Sequence, residues 1–205
     1  MQRPRVLLVH GLLNGNFWLW RLALRLRGAG FEPEVFTYSS LLEGPQRAVP
    51  KLVARLRRRP VDALVGHSLG GLIGLQALRE APQLPVSRVV CLGSPLRGSR
   101  TARALHASGT GRVLLGRSGA LLASTGMGEW QGAAQVGVVA GNRSLGAGRL
   151  FARFDEGSDG TVGLDETRIP GLTDHVIVPA SHSGLVFSAE AAAQVAHFLH
   201  EGRFR

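Results

Sequence analysis

Short runs of valine, leucine and other apolar residues alternate along the chain with longer stretches in which apolar residues recur every three or four positions. The runs predict strands at residues 5–9, 34–38, 63–66, 88–92, 136–140 and 175–179. Several are apolar without interruption, the pattern of strands covered on both faces in a parallel sheet. The helical spacing predicts helices at 17–27, 45–59, 69–79 and 189–200. Ser188 suits the N-cap of the last helix, and Glu190 falls in its first turn, where the helix dipole favours an anion. Strand–helix alternation with right-handed crossovers gives an α/β class: a doubly wound, mostly parallel sheet of about six strands flanked by helices.

One segment breaks the rhythm. Residues 98–132 are rich in Gly, Ser and Ala, with weak helical stretches at 101–106 and 113–122, and they separate two strands by far more than a usual connection. This predicts a small cap or substrate-facing excursion; the plainer alternative is a crossover helix with padding.

Composition narrows the class. A chain of 205 residues, 44% of them hydrophobic, with mean hydropathy +0.10, is expected to fold as one domain spanning 1–205. Met1 to Arg5 followed by Val6 to Val9 imitates a secretory leader, but His10-Gly11 and Asn14-Gly15-Asn16 break the run and no small-residue cleavage site follows. The segment reads as a buried strand. No stretch is long and apolar enough for a membrane span, which leaves at most transient contact with a lipid surface. A single cysteine, Cys91, excludes a disulfide framework and CxxC sites and suits a reducing, cytoplasmic setting.

The net charge is +10, nearly all of it arginine, since Lys51 is the one lysine. Most arginines are scattered; only Arg55, Arg57, Arg58 and Arg59 form a run. It closes a predicted helix, where cations suit the negative pole of the dipole, and it has no interleaved aromatics. It reads as a solvated face, with no nucleic-acid partner expected.

Gly66-His67-Ser68-Leu69-Gly70-Gly71 follows an apolar run and precedes a helix, the strand–turn–helix setting in which G-x-S-x-G places a nucleophile. Side chains at Gly66 and Gly70 would collide with neighbouring backbone, and Ser68 would take strained angles. A nucleophilic serine needs a base, an orienting acid and an oxyanion site, in the chain order serine, acid, histidine. His182, in the small-residue loop Ala180-Ser181-His182-Ser183-Gly184 after the last strand, suits the base. His67 is expected to point to another face, Cys91 to be a small buried hydrophobe, His106 to be structural, His175 to head a strand, and His197 and His200 to take a surface or core-edge place on the last helix. Asp155, Glu156, Asp159, Asp165, Glu166 and Asp174 compete for the acid. Asp159, followed by glycine on a turn, is favoured, with Asp165 next; Asp165 and Glu166 look like a short helix or solvated turn.

The first strand ends in His10-Gly11-Leu12. The backbone N–H of Leu12 pairs naturally with that of Leu69 as an oxyanion hole, with His10 bracing the loop. Leu12, Leu13, Phe17, Trp18 and Trp20 follow at helical spacing; most are expected in the core, some lining an acyl pocket. No HExxH, Cys/His cluster, P-loop or GxGxxG supports a metal or nucleotide enzyme.

The segments HGLLNG, GHSLGG, SDGTV and SHSG, in that order, resemble the α/β-hydrolase superfamily, and more narrowly its small lipase- and esterase-like members. The resemblance runs from the first strand to the last helix. It implies a serine hydrolase that cleaves carboxylic esters through an acyl-enzyme, with Ser68, Asp159 and His182 as triad and Leu12 and Leu69 as oxyanion donors. It also implies a small-molecule ester or lipid substrate and no cofactor. The resemblance begins at the His-Gly strand, so neither the extra N-terminal strands nor the large cap of bigger members is expected, which favours a shallow, open site. A thioesterase or acyltransferase on the same triad, or a non-catalytic binding protein on the same fold, are the alternatives.

Overall fold

A computed structural model describes residues 3–12, 15–107, 111, 113, 115–144 and 157–205. Six strands, β1 (Arg5–Val9), β2 (Glu32–Phe36), β3 (Ala63–His67), β4 (Arg88–Leu92), β5 (Gln135–Gly141) and β6 (Asp174–Val178), form one sheet in the order β2-β1-β3-β4-β5-β6. Every pairing is parallel. The helices are α1 (Trp20–Gly28), α2 (Gly44–Arg58), α3 (Leu69–Glu80), α4 (Arg100–Ala107), α5 (Gly119–Ala123) and α6 (Ala189–Glu201).

Alternate side chains of the strands enter two separate cores. Val6, Leu8, Val65, Val90 and Val139 face Leu22 and Leu26 of α1 and Val195 and Phe198 of α6. Leu7, Val9, Leu64, Val89 and Val138 face Leu52 and Leu56 of α2 and Leu72 and Leu75 of α3. Both faces of the sheet are covered, which is why the strands read as unbroken apolar runs. After β1 the chain builds outward to β2 and then returns to add β3 on the other side. The C-terminal ends of β1 and β3 therefore flank a switch point, the crevice where open α/β sheets bind ligands.

Two boundaries differ from expectation in an informative way. The second strand lies at 32–36 instead of 34–38. It begins earlier because it is an edge strand, where Pro33 opposite Val6 needs no ladder N–H. It ends earlier because Tyr38 is drawn off the sheet: its hydroxyl donates to the His10 carbonyl at 2.7 Å and its ring stacks on His10 at 4.3 Å. The last helix starts as expected, with Ser188 Oγ accepting the Ala191 N–H at 3.1 Å.

The arginine run at the end of α2 is partly engaged by the sheet edge: Arg55 and Arg59 meet Glu34 at 2.5 and 2.8 Å. Within 98–132 the described helical pieces are α4, a 3-10 turn at Gly116–Ser118 and α5; the predicted helix at 113–122 includes residue 114, which lies outside the described residues. Among the described residues no helix is long and apolar enough to cross a membrane.

Candidate active site

The turn after β3 is set by steric demand. Ser68, at φ 54° and ψ −120°, is the one non-glycine residue with positive φ among those described, a conformation that L-residues adopt only at an energetic cost. Its N–H donates to the Leu92 carbonyl at 2.8 Å, so the elbow continues the β3–β4 ladder. A β-carbon on Gly70 would lie 2.1 Å from the Val9 carbonyl oxygen, and one on Gly66 would lie 2.3 Å from the Gly71 nitrogen. Only hydrogen fits at either position, and α3 begins hard against the end of β1.

That close approach brings the first loop to the serine. A β-carbon on Gly11 would stand 3.1 Å from the Ser68 Cβ. His10 is buried beneath, its Nδ1 2.9 Å from the Gly11 carbonyl oxygen and its Nε2 3.2 Å from that of Tyr38. Burial lowers its pKa from the ordinary imidazole value. Leu12 lies just past this brace. Leu69 opens α3, so its N–H has no carbonyl one turn back within the helix. Leu13 and Asn14 lie outside the described residues.

Asp159 sits in a tight turn closed by the Ser158–Gly163 bridge and is almost wholly buried. Its Oδ1 accepts the N–H groups of Thr161 and Val162 at 2.9 and 2.8 Å. Its Oδ2 is 2.7 Å from His182 Nδ1. The His182 N–H also donates to the Asp159 carbonyl at 2.9 Å, so acid turn and histidine loop are tied through both backbone and side chain. An ionised carboxylate only accepts, so the imidazole carries its proton on Nδ1 and Nε2 is left as the basic nitrogen.

The other acids are placed elsewhere. Asp165 meets Arg100 at 2.5 Å. Glu166, read with Asp165 as a short helix or solvated turn, lies in the 3-10 helix Asp165–Thr167 and is buried: its Oε1 accepts the Arg100 N–H at 2.5 Å and its Oε2 accepts the Gly163 N–H at 2.8 Å. Burial pushes its carboxyl above the usual range. It clasps the start of α4 to the turn that carries Asp159. Asp174 accepts the Phe204 N–H at 2.7 Å, and Asp155 and Glu156 lie outside the described residues.

His67 does not point away, as the sharp turn suggested. Its ring lies 4.9 Å from that of His182, and its Nε2–H donates to the His182 carbonyl at 3.0 Å. Full burial, with the His182 ring beside it, lowers its pKa to about 3, so it stays neutral. The expected core role needs correcting for two of the aromatics after Leu12: Phe17, in the turn before α1, and Trp20, at its start, are exposed, whereas Trp18 packs against the core, edge-on to Phe187. Cys91 is buried, its thiol pushed up to about 12 by that burial.

Ser68, His67 and His182 line one cavity of about 190 Å³. Leu12 and Val162 form part of its wall, and the 98–132 excursion contributes Ala102, Leu105, Leu115 and Leu122. Gly93, missed in the sequence, stands at the back of the histidine–carboxylate pair. At φ 56°, its missing β-carbon would lie 3.1 Å from Asp159 Oδ2 and 3.2 Å from His182 Nδ1. The available signal was a glycine directly past a strand end. Among the described residues no group of three or more His, Cys, Asp or Glu side chains is arranged to hold a metal.

Solved structures share this architecture. The mature form of the Bacillus licheniformis lipase BlEst2 superposes with a TM-score of 0.74 at 20% identity, over 97% of this chain and 91% of that one. The pyrethroid hydrolase PytH gives 0.65 at 14% identity over 97% and 98%. A thioesterase domain from the curacin biosynthetic pathway gives 0.54 at 15% identity over 97% and 92%. At these identities the likeness is one of fold. The comparison with curated proteins finds no match. The family model described as "Alpha/beta hydrolase family" matches residues 6–200, which take in both the Ser68 elbow and the His182 loop. Nearly the whole length is thus accounted for by one pattern, and the chain belongs to the alpha/beta hydrolase family.

Proposed function

We propose that the protein is a serine hydrolase of carboxylic esters, with Ser68 as nucleophile, His182 as general base and acid, Asp159 as orienting carboxylate, and the Leu12 and Leu69 N–H groups as oxyanion donors. One observation carries the reading: the residue held at positive φ opens onto the same cavity as a histidine whose Nδ1 is engaged by a buried carboxylate. In the reaction, Ser68 Oγ attacks the ester carbonyl carbon while its proton passes to His182 Nε2. The carbonyl oxygen becomes an oxyanion facing the two N–H donors, each worth roughly 3 kcal/mol. Collapse breaks the bond to the alkoxide, which leaves as alcohol with the proton from His182. Water then gives its proton to His182 and adds to the acyl-enzyme, releasing the acid and restoring the Ser68 hydroxyl.

Asp159 keeps the imidazole in the tautomer this cycle needs and steadies the imidazolium. The leucines of the excursion suit an apolar acyl chain, and its described residues at 99–105, 115 and 122 act as a small cap on the cavity. The test is turnover of a short p-nitrophenyl ester by Ser68→Ala, with folding followed by circular dichroism. A loss of at least about a thousandfold with an unchanged spectrum is expected; undiminished turnover removes Ser68 as nucleophile. Acyl-thioesters and alcohol acceptors assayed beside the ester distinguish ester hydrolysis from thioester hydrolysis and acyl transfer.

A further inference from the structure

The outer side of the segment leading into and through α1 is not the polar face a surface helix normally presents. The inner side buries Leu22, Ala23 and Leu26. The outer side exposes Phe17 at 80%, Trp20 at 43% and Leu24 at 57%, spaced i, i+3 and i+7 so that they form one stripe. The Phe17 and Trp20 rings stack at 6.0 Å, and the Arg21 guanidinium lies 5.5 Å from the centre of the Trp20 ring. Leu42, after β2, and Val113, in the excursion, are exposed at 74% and 78%. These five residues all lie on segments that leave the C-terminal ends of strands, the edge of the sheet where Ser68 and His182 stand.

Charge on this segment has one sign. Residues 1–31 hold Arg3, Arg5, Arg21, Arg25 and Arg27 and no acid. Arg21 and Arg27 are exposed on α1, while Arg25 donates to the Phe187 carbonyl at 2.7 Å. The acids on the neighbouring helix α6 stand at its two ends, Glu190 in the first turn and Glu201 at the last residue. Exposed aromatic and leucine side chains flanked by arginine and free of carboxylates match a helix that lies in the headgroup region of a membrane. There the rings enter the acyl boundary and the guanidinium groups meet phosphates.

We propose that the outer face of Asn16–Gly28, centred on Phe17, Trp20 and Leu24 and flanked by Arg21 and Arg27, docks on an anionic phospholipid bilayer. Only residues 13–15 separate this face from Leu12, which lines the cavity, so docking sets the cavity entrance toward the lipid. The inference goes beyond the ester-hydrolase reading and is tested without turnover.

The experiment is co-sedimentation of the full chain with vesicles of phosphatidylcholine alone or phosphatidylcholine with phosphatidylglycerol, alongside tryptophan emission. Anionic vesicles are expected to bind at least about tenfold more tightly, with a blue shift that Trp20→Phe removes. Phe17→Ser with Leu24→Ser should weaken binding more than about tenfold, with the melting temperature unchanged. Arg21→Gln with Arg27→Gln should weaken it by about tenfold or more and reduce its salt dependence. Three results overturn the proposal: no binding to either vesicle, full binding by the Phe17/Leu24 variant, or a dimer that this variant converts to monomer while vesicles are ignored.

Discussion

The Nε2–H of His67 donates to the backbone carbonyl of His182 at 3.0 Å, so the residue directly before Ser68 holds the loop that carries His182. Because burial lowers the His67 pKa to about 3, this donor persists across the neutral range. Removing it loosens the His182 loop, which the Asp159 turn still holds through backbone and side chain. His67→Leu is therefore expected to lower kcat by about ten- to a hundredfold, the size of a small misplacement of a catalytic group, with KM little changed. His67→Gln, which can still donate, should recover part of the loss. Equal kcat in the Leu variant and the parent would show that the brace does not position the base.

Asp159→Asn tests the tautomer. The buried side-chain oxygen would go to the Thr161 and Val162 N–H groups, as Oδ1 does now, leaving the amide NH2 to face His182 Nδ1. The imidazole must then carry its proton on Nε2, where it cannot take one from Ser68. A fall in kcat of about 10⁴ is expected, with the fold retained. A fall of less than tenfold would remove Asp159 from its role and return the question to the other acids.

Gly93→Ala addresses a position that serves the pair by having no side chain. At φ 56° alanine is strained, and its methyl would meet Leu185 Cδ1 at 2.8 Å as well as Asp159 Oδ2 and His182 Nδ1. A loss of about 1–3 kcal/mol in urea unfolding is expected, together with reduced kcat. Unchanged stability and rate would show that the pair has slack there.

Acid lability follows from buried neutral histidines. His67 at about 3 and His175 at about 4 both lie below the ordinary imidazole value, each mainly through burial. Below about pH 6.5 the unfolded chain binds protons at these sites that the native chain does not. Their stabilisation is complete above that pH and is lost as pH falls toward the folded values, His67 alone contributing up to roughly 1.4 kcal/mol per pH unit. Glu166, raised by burial, acts with the opposite sign as pH rises past the ordinary carboxylate value. Urea midpoints should fall steadily from pH 7 to pH 4.5, and less steeply in His175→Gln, where an amide N–H can still reach the Thr167 hydroxyl, now 2.8 Å from His175 Nε2. A flat profile would contradict the burial of these rings.

What the sequence made legible follows from how each feature is encoded. Strands β1 and β4 are bounded as read because each central parallel strand carries an unbroken buried apolar run, Val6–Val9 and Val89–Leu92, opened by an arginine. The elbow was visible because Gly66 and Gly70 are demanded by contacts along one short segment. Asp159 and His182 were legible as loop residues past strand ends, and the structure brings them to 2.7 Å. The outer face of α1 was not, since periodicity locates two apolar sides, Phe17/Trp20/Leu24 and Leu22/Ala23/Leu26, and says nothing of which is covered. Glu166 and His67 escaped because their partners, at Arg100, Gly163 and His182, are set by packing between distant segments.

The chemistry is tested most directly by intact-mass spectrometry after exposure to a fluorophosphonate, which captures only an activated serine. A single phosphonyl adduct on the peptide containing Ser68, absent in Ser68→Ala and strongly slowed in Asp159→Asn, is the result expected. No adduct on folded protein, or an adduct on any other residue, would contradict it.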